Sequence, residues 1–149
     1  MEGLKSMDTR IYPVIVNTLK MEQRNLTIYY PQVTCLLSPN VQESINRNIL
    51  TNVYMLIQEQ GYYDNPDVDM TGTYELKNND KGILSLTLDN YAFAGGAHGN
   101  TIVKPLTYDI MTGKIYTLSD LFKPGSDYVK RISDIIKIQI KERDLPIIN

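Results

Sequence analysis

At 149 residues, with 42% hydrophobic and 21% charged side chains, the chain has the length of one domain and enough apolar content to bury a core, which excludes intrinsic disorder. A formal net charge of -2, with lysines scattered rather than massed, lacks the basic footprint that a phosphate backbone demands and excludes nucleic acid as a partner.

The opening "MEGLKSMDTR" holds no apolar segment of signal-peptide length, and no later run approaches the ~18 apolar residues of a membrane span. Residues 13–20, "PVIVNTLK", and 25–37, "NLTIYYPQVTCLL", are rich in β-branched and aromatic residues and read as two strands separated by "MEQRN". Pro31 cannot donate to a ladder, so the second strand is expected to bend, bulge or lie at an edge there. The single cysteine, Cys35, cannot form an internal disulfide and is expected to act as a small buried hydrophobe in "VTCLL".

The period then changes. Residues 38–61 open with Ser38 as a cap and Pro39 at the first helical position and close on Gly61. Val41, Ile45, Ile49, Val53, Leu56 and Ile57 recur at spacings of three and four, which predicts an amphipathic helix. After an expected loop, "YYDNPDVDMTG", alternation returns in Tyr74 and Leu76 and then in Leu84, Leu86 and Leu88, with "NNDKG" as a hairpin turn. Ile102, Leu106, Tyr108 and Ile110 keep one parity, "MTGK" supplies a second turn, and "KIYTL" is expected to return as a strand. Pro105 places a bulge or an edge in that hairpin.

From a Ser126 or Asp127 cap, Val129, Ile132, Ile135, Ile136 and Ile140 build a second helical stripe, with Lys137, Lys141 and Arg143 toward its negative end. The order predicts one α+β domain over residues 1–149, an antiparallel sheet with two amphipathic helices packed on one face.

Few residues carry visible chemistry. Zinc sites need several histidines or cysteines at close spacing, and the chain has one of each, so no metal site and no cofactor is expected. No nucleophile elbow is present, and no catalytic set is assigned. Asp64, Asp67 and Asp69 cluster beside Tyr62 and Tyr63 without the order of a calcium loop. Together with Asp109 and an assisting His98, they form the alternative reading of a carbohydrate-active hydrolase built on paired carboxylates.

Eleven tyrosines against two phenylalanines and no tryptophan are the clearest bias, offering flat rings with polar tips that suit sugars or protein partners. The only histidine, His98, sits in "GGAHGN". Gly95, Gly96 and Gly99 permit backbone angles closed to other residues, so His98 is read foremost as holding a tight bend by a bond across the loop. It could otherwise serve as a ligand contact beside Tyr91 and Asn100. The candidate binding residues are therefore Tyr62, Tyr63, Tyr91, Gly95, Gly96, His98, Gly99 and Asn100.

Taken together, "YAFAGGAHGNT", "LTYDIMTGKIYTLSDLF" and "YVKRISDIIKIQI" resemble a bacterial extracytoplasmic domain family, similar to the outer domain of the lysozyme-sensing anti-sigma-V factor and to the non-catalytic N-terminal module of certain peptidoglycan deacetylases. The sharp motifs are Gly95 to Gly99, Thr112 to Lys114 and Leu118 to Phe122; residues 11–90 look like the module that precedes them, and 91–149 like the family's hairpin and helix. The resemblance implies a non-catalytic domain that recognises a lysozyme-like protein or cell-wall glycan outside the membrane, with an export signal or anchor lying outside this sequence. It also implies further strands after "ERDLPIIN", so a C-terminally truncated sheet and a homodimer paired through it are expected.

Overall fold

The computed structural model describes residues 13–146; residues 11 and 12 of the expected first module and the last three of "ERDLPIIN" lie outside them. The chain forms two compact units, Met1–Tyr116 and Thr117–Asn149.

The first unit is a five-stranded sheet in the order β1-β2-β3-β4-β5, comprising β1 (Ile15–Gln23), β2 (Leu26–Thr34), β3 (Asp69–Asp80), β4 (Ile83–Phe93) and β5 (Asn100–Asp109), with α1 (Pro39–Glu59) between β2 and β3. The class is α+β. The sheet is not wholly antiparallel: β2 and β3 run parallel over three pairs, Leu26 with Met70 to Ile28 with Gly72, because the chain crosses over through α1 before returning. Beyond Ile28 the two strands part. Pro31 therefore sits where β2 has only β1 beside it, the effective edge that its missing N–H requires. Pro105 lies on β5, a true edge.

The helix forms as its residues dictate. Ser38 Oγ accepts the N–H of Val41 at 3.3 Å with Pro39 just inside the first turn, and Gly61 follows the C-cap Gln60 with φ +79°. The stripe Ile45, Ile49, Val53, Leu56 and Ile57 is buried with Leu26, Ile28, Leu84, Leu86, Leu88 and Leu106 in one core, each large side chain contributing about 2 kcal/mol by area. Polar groups in this layer are paired. Tyr108, fully buried, donates its hydroxyl to Asn48 Oδ1 at 2.7 Å, and burial holds that phenol neutral well above its usual range. Asn46 receives the Val33 N–H and donates to the Val33 carbonyl, at 2.8 and 2.9 Å, so an amide stands in for the strand that β2 lacks there.

Four expectations change. Cys35 is exposed, with φ +61°, because the strand has ended at Thr34 and the chain turns toward the helix cap. Asp69 to Gly72 belong to β3 rather than to a loop. The β3–β4 turn narrows to Lys81 and Gly82, both at positive φ, as a two-residue hairpin needs. "KIYTL" forms only an isolated bridge, Ile115 with Tyr108, because the chain leaves β5 after Tyr116 bonds Thr107.

The second unit contains a short 3-10 turn, Ser119–Leu121, and α2 (Tyr128–Glu142). The rings of Phe122 and Tyr128 stack there, 4.6 Å apart and nearly parallel. None of the α2 residues is buried. No helix among the described residues is long and apolar enough to cross a membrane.

Candidate functional site

The ladders bring three loops to one end of the sheet. β2 starts beside the start of β3, Asp69 pairs with Phe93 at the end of β4, and Ala92 pairs with Asn100 at the start of β5. The turn before β2, the loop from Gly61 to Val68 and the loop from Ala94 to Gly99 therefore share this end. Every binding residue predicted above lies here.

The first two loops are tied together. Tyr62 donates its hydroxyl to the Arg24 carbonyl at 2.5 Å, and Met70 N–H bonds the Asn25 carbonyl at 2.8 Å. Tyr63 meets Tyr62 edge to face, 5.4 Å between ring centres, yet is itself 59% exposed. Half-buried Tyr62 thus anchors while Tyr63 presents a free ring.

In the third loop Gly95 and Gly96 hold φ of +88° and +98° with open space where side chains would be. They make the reversal itself. Gly99 serves differently: a Cβ there would collide with the Tyr91 ring, so the ring of half-exposed Tyr91 lies across the glycine. His98 is exposed and has no hydrogen-bond partner among the described residues. The expected bond across the loop is absent, because the bend is already secured by its glycines and its ends.

Those ends are held by a network that the sequence reading passed over. Gln60 donates to the carbonyls of Asn90 and Asn100 at 3.2 and 2.9 Å, and its Oε1 accepts the Asn90 amide at 2.7 Å. A single side chain after α1 thus clamps the last part of β4 to the first residue of β5. Asn90 is 3% exposed, so these bonds form under low dielectric, where leaving one unmade is costly. A signal existed: Asn90 follows Leu84, Leu86 and Leu88 on the core parity, a polar residue in an apolar series. For Gln60 there was none.

The carboxylates do not form one set. Asp64, Asp67 and Asp69 are exposed at the loop end. Asp109 stands at the far end of β5, about 30 Å from Asn100 along the strand, and cannot share chemistry with His98. Burial alone would raise the Asp109 carboxyl, but the N–H groups of Met111 and Thr112 at 2.8 and 3.1 Å and the hydroxyls of Thr112 and Tyr116 hold it below its usual value. It braces the turn after β5. Among the described residues no three His, Cys, Asp or Glu side chains converge as a metal-binding group.

The sequence matches the family described as Deacetylase PdaC over residues 18–101. It is 29% identical over 69 residues to the peptidoglycan-N-acetylmuramic acid deacetylase PdaC of Bacillus subtilis, an alignment covering 46% of this chain and 15% of that protein. The chain thus spans a small part of that relative's length. Crystal structures of DUF3298 family proteins from Pseudomonas aeruginosa and Bacteroides fragilis match 90% of this chain and 70% of theirs, with TM-scores of 0.66 and 0.61 at 15% and 12% identity. At that identity the likeness is one of fold.

Proposed function

Since the chain belongs to the family described as Deacetylase PdaC, we propose that it is a non-catalytic recognition domain for cell-wall glycan, working outside the cytoplasmic membrane. The observation that carries this reading is where the family match falls. Residues 18–101 enclose all the candidate binding residues, Tyr62, Tyr63, Tyr91, Gly95, Gly96, His98, Gly99 and Asn100. A relative whose name places its action on peptidoglycan is 29% identical to this chain over 69 residues.

The loop end suits binding in three ways. Tyr63 and Tyr91 expose rings whose flat faces pack on sugar C–H groups at little entropic cost. Gln60 fixes the strand ends that carry Tyr91 and Asn100, so the surface is organised before a ligand arrives. His98, exposed and without a hydrogen bond among the described residues, can contact a ligand at the rim.

The test is cosedimentation of the purified chain with peptidoglycan sacculi, alongside titration with lysozyme. Retention by sacculi, weakened when Tyr63 and Tyr91 are replaced by alanine, is the expected result. Binding to lysozyme alone would replace the glycan with a protein partner, and binding to neither would end the recognition reading. The hydrolase alternative predicts glycan turnover that disappears on converting Asp64, Asp67 or Asp69 to its amide. A second copy pairing at a free sheet edge predicts a dimer in light scattering.

A further inference from the structure

Asp89 is the side chain that the fold leaves least explained. Its ladder partners are Thr73 on β3 and Val103 on β5, and it lies two residues from Tyr91, on the same outward face of β4. Among the described residues three carboxylates are drawn in from full exposure: Asp89, Asp109 and Asp134. Asp109 receives backbone donors and Asp134 receives Lys130. Asp89 Oδ1, by contrast, is shielded from solvent with no donor against it, and so is Thr87 Oγ1 at the next outward position.

Shielded polar atoms without partners weaken a fold. Two side by side on one strand suggest a ligand that supplies the missing bonds. Lys77 senses the Asp89 charge, but its ammonium is bonded to Glu75, so among the described residues no cation forms an ion pair with the Asp89 carboxylate. The outward ladder positions around Tyr91 are Thr71 and Thr101, and Glu75 stands opposite Thr87, giving a face of hydroxyls, two carboxylates and one ring.

Resting on the reading that this domain binds wall glycan, we propose that the site runs from the Gly95–Gly99 loop across Tyr91 and down the outward face of β4 to Asp89 and Thr87. Its ligand is an uncharged N-acetylated sugar chain whose hydroxyls donate to the Asp89 carboxylate. A carboxylate accepts two hydroxyls at once, threonines give and accept the remaining bonds, and Tyr91 covers a sugar face. An anionic ligand is repelled. A hard cation needs six or more oxygens with several carboxylates, and the second carboxylate of this strip, Glu75, is already paired with Lys77. Thr87 to Tyr91 spans about 13 Å along the strand, which favours a chain over a single ring. Asp89 keeps partial exposure, and rotation of its carboxylate exchanges the two oxygens.

Calorimetric titration of the chain with the tetramer of N-acetylglucosamine, with the monomer and with Ca2+ alone tests this in the wild type, Asp89→Asn and Thr87→Val. Tetramer binding is expected, weakened by about ten- to a hundredfold in Asp89→Asn and also weakened in Thr87→Val, with the monomer far poorer and Ca2+ silent. Unchanged tetramer affinity in Asp89→Asn overturns the proposal, as does a Ca2+ response that this variant abolishes. Asparagine is isosteric and removes an unpaired charge, so Asp89→Asn should melt no lower than wild type, and Thr87→Val is an independent probe of the same strip. If sacculi retain wild type and both variants equally, this site fails while the wall-glycan reading stands. If wild type binds neither sacculi nor tetramer, both fail.

Discussion

The phenol ring of Tyr91 occupies the space that a side chain at Gly99 would fill, locking the end of β4 to the loop that follows it. The obstructing atoms belong to the far end of a flexible side chain, and Gly99 does not need a left-handed backbone. Gly99→Ala should therefore cost little stability, under about 1 kcal/mol, while swinging Tyr91 out of place. Glycan affinity should fall with an almost unchanged melting temperature, and NMR should show the Tyr91 ring resonances moving.

Gln60 offers the opposite balance. Gln60→Leu removes both donors that hold the Asn90 and Asn100 carbonyls and leaves the buried Asn90 amide unpaired. A loss of about 2 to 4 kcal/mol is expected from the orphaned groups, read by urea denaturation. Hydrogen exchange should quicken first at Asn100 and its neighbours, where the clamp is released.

At Gly72 the sheet itself is the constraint. A Cβ there would stand 2.7 Å from both Asn90 Oδ1 and Ile28 Cδ1 and 2.8 Å from Ile28 Cγ2, in the short parallel pairing of β2 with β3. Gly72→Ala should destabilise by about 1 to 3 kcal/mol through overpacking. A melting temperature equal to wild type would show that β2 and β3 can separate freely.

Asp109 predicts a pH dependence. Its folded carboxyl lies below its usual value, so the stabilisation it provides is complete above the unfolded value of about 3.9 and is lost as pH falls through the lower folded value. Wild type should thus lose its advantage over Asp109→Asn on acidification below about pH 4, and the two stabilities should converge. A gap constant from pH 7 to pH 2 would refute the bracing role.

Much of the local structure could be read directly. The cap, the proline and the three-and-four spacing of α1 depend on neighbours within a turn or two, and the helix begins and ends within a residue or two of its expected limits. The leucine alternation of β4 and the turn before it are equally local. Cys35 misled because an apolar run looks buried wherever it falls, whereas its exposure depends on where the strand stops. His98 misled because a lone histidine among glycines invites a bonded role that the glycines and Gln60 had already filled.

The amino-acid order alone determined α1, α2 and the bodies of the strands, since periodicity and capping act between residues a few positions apart, but not the start of β3 or the fate of "KIYTL". Only the tertiary structure decided the parallel join of β2 to β3, the meeting of Tyr62, Tyr91 and His98 at one end, and the distance that separates Asp109 from them. Those relationships rest on contacts between residues tens of positions apart, and which of these form is settled by packing of the whole sheet against α1. The unpartnered Oδ1 of Asp89 belongs to this second group, because outward parity is visible in the chain but the lack of a donor to that atom is a property of its assembled neighbours.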